Sequence, residues 1–204
     1  MRRVAGMGFG RWAIPILPLA MAIPAFGVSC ITQSQMNAQE RDALRQAATG
    51  IVGNVEAANA EAVKAQTIGS VAAQFEGIAG SIQSVSPSLQ HATLTVDELY
   101  ALDATELKSA QDVQFFCGLP ASSLTVEIDI PNLPPGKYAL AVVHATGVKN
   151  PQALSMVLQN DLPGSPTWKL AGFFVRPMTM GGEDGIWFWK RAREYAEKKE
   201  SWNA

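Results

Sequence analysis

The sequence predicts an α+β domain in which N-terminal helices pack on a curved antiparallel sheet, followed by a C-terminal aromatic helix. Three observations carry this prediction. Leu124-Thr-Val-Glu-Ile-Asp-Ile130 alternates apolar and polar residues with period two, the pattern of a half-buried strand. Lys137 to Ala145 is apolar on both faces, as a central strand is. Ahead of these strands, residues 38 to 82 place apolar side chains at helical spacing, and those faces must bury against something.

In chain order, residues 1 to 29 read as an export signal. Arg2, Arg3 and Arg11 make a positive start, and Trp12 to Phe26 is an uncharged apolar run shorter than the roughly 20 residues a membrane-spanning helix needs. Pro15, Pro18 and Pro24 disfavour a stable spanning helix. Small residues at Ala25, Gly27 and Ser29 lead to Cys30. A small residue directly before a cysteine resembles the lipobox of bacterial lipoproteins, although Gly27 stands where that motif usually has Leu. Lipidation of Cys30, ordinary cleavage nearby, and a disulfide from Cys30 to Cys117 are all compatible with the residues. The expected location is therefore the periplasm or envelope of a bacterium, with any membrane attachment made through Cys30.

Residues 30 to 37 read as a polar tether. From Ala38 to Ala58, Leu44, Ala47, Ala48, Ile51, Val52 and Val55 form one helical face, weakened by Gly50 and Gly53 at about 1 kcal/mol each. A second helical stretch runs from Ala60 to Ile82, with a break expected near Thr67–Ser70. Residues Ser84 to Ser88, with Pro87, close the helical region. Thr93-Leu-Thr-Val96 reads as a strand, although Thr95-Val-Asp-Glu98 also has capping-box spacing. Val113 to Cys117 is a further short strand. Pro131-Asn-Leu-Pro-Pro-Gly136 punctuates the alternating run, and Leu154–Gln159 and Trp168–Val175 complete the sheet. Pro177 stops the last strand. Residues 177 to 204 comprise a glycine-containing connector and a helix rich in Trp and Tyr, whose abrupt end after Trp202 suggests that the natural chain continues.

The layout of residues 38 to 176 resembles the nuclear transport factor two-like fold, with a closing strand of the form Trp168-x-Leu-x-Gly-Phe173. That resemblance implies helices packed into a curved sheet, giving a cone with an internal cavity. Pro131 to His144 is instead similar to the Pro-Pro-Gly hairpins of transthyretin-like or immunoglobulin-like β-sandwiches, which makes a sandwich preceded by helices the alternative. Neither fold implies a single activity.

The charge balance excludes one class of partner. The chain of 204 residues has a formal net charge of −2, and without its first 29 residues 13 basic side chains stand against 18 acidic ones. Nucleic acid is disfavoured, because neutralising phosphates takes clustered Lys and Arg. Two cysteines and two histidines far apart give no zinc pattern, no cofactor motif is present, and neither Gly-x-Ser-x-Gly nor His-Glu-x-x-His occurs.

What remains points to a non-catalytic binding role, toward a small apolar ligand or a protein partner. Tyr138 and His144 are expected to share a strand face lining the cavity. Trp189, Tyr195 and Trp202 are expected to form a docking stripe on the last helix. The alternatives are a small cavity enzyme with His144 as general base, its carboxylate partner being Glu127 or Asp129, and a purely structural sandwich module.

Overall fold

The structure, a computed structural model, describes residues 27–119, 123–160, 167–200 and 202. The expected signal segment lies outside the described residues up to Phe26, and the end of the expected last helix lies partly outside them as well.

Four helices follow a short first strand. α1 (Ala38–Glu56) starts where the Asn37 side chain accepts a hydrogen bond from the Glu40 N–H. This satisfies one of the four amide donors that a helix start leaves unpaired. Its apolar face buries Leu44, Ala48, Ile51, Val52 and Val55. α2 (Ala60–Ala65), α3 (Gly69–Ala72) and α4 (Glu76–Leu89) follow, so the expected break at Thr67–Ser70 is real and a second one falls after Ala72. Pro87 does not close α4 as expected but sits in its last turn, and the helix ends two residues later. The lost Pro87 amide falls close enough to the helix end to forfeit only a terminal bond.

The main sheet is five-stranded and antiparallel in the order β1-β2-β5-β6-β7. Its strands are β1 (Ser29–Thr32), β2 (Thr93–Asp103), β5 (Lys137–Thr146), β6 (Gln152–Asn160) and β7 (Trp168–Pro177). β3 (Gln111–Gly118) and β4 (Thr125–Leu133) form a separate two-stranded hairpin. The tether expected at residues 30 to 37 is corrected here, because Cys30 to Thr32 belong to β1 and pair with β2. The alternating run also extends past Pro131. β4 continues to Leu133 through a register shift opposite Asp112, where Asn132 takes a positive φ of 50° and its amide donates to Asp112 Oδ1 at 2.9 Å. A bulge in a two-stranded hairpin is one of the few sheet positions that tolerate proline.

Two cores lie on opposite faces of the main sheet. On one face, α1, α2 and α4 cover Leu99, Ala139, Ala141, Val143, Leu154 and Met156. On the other, the β3–β4 hairpin covers Tyr100, Leu102 and Tyr138 with Val113, Phe115 and Cys117. Register shifts preserve this two-sidedness. Between Val96 and Glu98 the pairing slips by one residue, so Leu94 and Val96 before it and Leu99 and Ala101 after it all meet the helical core. A slip between Val157 and Leu158 does the same for Leu170 and Phe173 across Ala171. In each case the extra residue changes the strand's parity and keeps apolar side chains inward.

The C-terminal region stands apart. β8 (Thr179–Met180) and β9 (Glu183–Asp184) pair across Gly181-Gly182, both at positive φ, the backbone a two-residue hairpin turn asks for. The expected loose connector is therefore a hairpin. α5 (Gly185–Glu197) follows directly, capped by the Asp184 carboxylate, which accepts from the Trp187 N–H at 2.8 Å.

Candidate functional site

The second core is open at one end, into a cleft. Its volume is about 880 Å³, within the range typical of small-molecule sites. Val28, just before β1, and Cys30 within it form one wall, and Val113, Phe115 and Ile130 of the hairpin form the other. Asp112, Gln114, Phe116 and Asp129 also line it. Phe116 is 60% exposed, which is costly for a ring of that size; it alternates to the outer face of β3, opposite the buried Val113, Phe115 and Cys117.

A disulfide between Cys30 and Cys117 stands beside this cleft and joins the two sheets. Cys30 points from β1 toward the hairpin, and Cys117 points from β3 back into the second core. Their Cα atoms are 5.2 Å apart, a separation that suits a bridge. Of the three fates the sequence leaves open for Cys30, the structure takes the disulfide. A thioether to lipid would use the same sulfur that here bonds Cys117.

Tyr138 and His144 do share a strand face, but it is the face turned away from the helices. Tyr138 is buried in the second core, 2% exposed, and its hydroxyl donates to the Pro134 carbonyl at 3.0 Å. Burial raises its pKa above the usual 10.0. In this structure it packs in the second core and braces the Pro134 turn, and it does not line the cleft.

His144 lies further along β5, beyond the hairpin's cover, with its side chain about 30% exposed. Its Nδ1 is paired with the Asp97 carboxylate. The expected partners, Glu127 and Asp129, are on β4 and pair across the hairpin with Phe116 and Gln114 instead. Asp97 reaches His144 because it is the extra residue of the β2 register shift, released from the alternation that its neighbours obey. The signal was present in the sequence as two consecutive acids, Asp97 and Glu98, inside a period-two run. A carboxylate on Nδ1 fixes the ring and leaves Nε2 as the proton-accepting nitrogen, the geometry a general base requires. The pair lies outside the cleft, since neither residue lines it.

Comparison with protein-family models, curated proteins and solved structures returns no match. The site must therefore be read from its own chemistry.

The docking residues predicted on α5 are exposed or half-buried. No residue of the helix is buried, and Trp189 is 57% exposed. Arg193 stacks on the Trp189 ring at 4.9 Å and Arg191 on the Tyr195 ring at 5.1 Å. Trp202 lies beyond the helix end and is fully exposed, so it does not extend the stripe. Among the described residues, no three His, Cys, Asp or Glu side chains gather into a metal site.

Proposed function

We propose that this chain is an exported, non-catalytic binding protein that takes a small apolar molecule into the cleft between β1 and the β3–β4 hairpin. The cleft carries the reading. Val113, Phe115 and Ile130 in its wall are continuous with a folded core, Asp112, Gln114 and Asp129 add polar groups, and Phe116 stands exposed at its edge. A ligand entering there would remove that surface from water without rearranging the core. The Cys30–Cys117 bond supports an oxidising compartment, where disulfides persist, and so supports export.

The test uses N-phenyl-1-naphthylamine, a neutral apolar dye whose emission rises on leaving water. It should bind the native protein saturably and raise its melting temperature. Phe116→Ala and Ile130→Asp should each weaken binding at least tenfold. Equal binding by both variants would end the proposal.

One observation favours the enzymatic alternative, namely the Asp97 carboxylate on His144 Nδ1. Under that reading His144 is a general base acting on the open face of β5. The two readings differ in location. Ligand competition at the cleft should leave the His144 ring resonances unchanged if binding alone is the function.

A further inference from the structure

The charge and apolar residues of α5 are sorted along its axis. Ile186, Trp187, Phe188 and Trp189 are four consecutive residues, about 100° apart around the helix, so the first turn is apolar on every side. All four are exposed, from 42% to 63%, and Met180 on the adjoining hairpin is 72% exposed. Lys190, Arg191 and Arg193 follow as a basic collar, and Glu194 and Glu197 come only after it. Arg193 lies against the Trp189 ring, which holds its charge close to the apolar surface, whereas Arg191 lies against Tyr195 one turn on and pairs with Glu194 at 2.8 Å.

We infer that α5 is an interfacial anchor whose first turn enters the surface of an anionic phospholipid bilayer. A protein groove would cover one stripe of a helix, whereas this apolar surface surrounds the whole turn, as a fluid interface can. Trp side chains favour the boundary between headgroup and hydrocarbon, where an apolar ring and a wet N–H are both satisfied. The collar then sits at headgroup depth, attracted by phosphate, and the glutamates remain on the aqueous side. Two acids precede the tip. Asp184 is engaged as the helix cap, and Glu183 opposes insertion, which favours a shallow, reversible contact. This inference is independent of the cleft, which no residue of α5 lines, and of Cys30, whose sulfur is in the disulfide.

The test uses the full chain carrying Trp12→Phe and Trp202→Phe, so that Trp187 and Trp189 dominate the exposed emission over the buried Trp168. Vesicles of phosphatidylcholine mixed equally with phosphatidylglycerol, with bromine on the acyl chains, should quench that emission. Vesicles of phosphatidylcholine alone should quench it far less. Neutralising Lys190, Arg191 or Arg193 to Gln should weaken partitioning about fivefold each. Trp187→Ala with Trp189→Ala should abolish co-sedimentation while the far-ultraviolet spectrum stays unchanged, since neither side chain is buried. Three results would each overturn the inference. They are co-sedimentation that survives the α5 variants, bound protein with no quenching, and a tryptophan shift that follows protein concentration without lipid.

Discussion

Opening the Cys30–Cys117 bond should cost more stability than any other change confined to two atoms of this chain. The two half-cystines are 87 residues apart in sequence. Cross-linking a loop of that length removes about 15 cal/mol/K of entropy from the unfolded chain, or about 4.6 kcal/mol at room temperature. Measured bridges usually deliver somewhat less, so about 3–4.6 kcal/mol is expected. Against a domain stability of about 5–15 kcal/mol this is a large share. For a chain of this size it corresponds to a drop of roughly 6–18 °C in melting temperature. The location of the loss is as informative as its size. The hairpin is held to the main sheet by the smaller of the two cores, so it should loosen first. The assay compares wild type with Cys30→Ala/Cys117→Ala in urea, followed by circular dichroism, and maps amide exchange in both. Exchange should accelerate through β3 and β4 while α1 and β5 keep their protection. A loss below about 1 kcal/mol, with the bond verified by mass in the wild type, would refute the reasoning. So would a wild-type mass carrying two extra hydrogens or a lipid at Cys30.

Two further outcomes follow from the geometry. Burial raises the pKa of both Tyr100 and Tyr138 above 10.0, and for Tyr100 the nearby Glu98 adds to the effect. Their folded forms therefore hold the proton to higher pH than the unfolded chain does. The stability they contribute is complete below about pH 10 and declines as pH rises through their folded values. Spectrophotometric titration should show these two phenols ionising late, and Tyr138→Phe should remove part of the alkaline decline. Asp184→Ala should unravel the start of α5 at a cost of about 1 kcal/mol to that helix, because Trp187 loses its cap. Global melting should barely move, since α5 buries nothing. A large fall in melting temperature would mean that the helix packs on the domain after all.

The legible parts of this sequence are those governed by one local rule at a time. Strand alternation at Thr125 to Ile130 and the helical face of α1 each depend on near neighbours, and both are read directly. The fate of Cys30 is not local. Lipidation, cleavage and disulfide formation all suit the residues around it, and only the packing of the hairpin on β1 brings Cys117 to it. The His144 partner was misplaced for a related reason. Sequential strands usually pair, which made Glu127 and Asp129 on β4 the natural neighbours of β5. The chain instead sets β3 and β4 aside as a hairpin and pairs β5 with β2.

That rearrangement shapes two surfaces of the molecule. Withdrawing β3 and β4 from the main sheet creates a second layer, and the mouth between the layers is the cleft. Because the hairpin covers only part of β5, His144 and Asp97 are left on the uncovered remainder. The hairpin that walls the cleft is held by the second core and by the one bond between Cys30 and Cys117. If the cleft is the binding site, reducing that bond should therefore change dye affinity and exchange in β3 together. Affinity that stays constant while β3 loosens would separate the site from the brace.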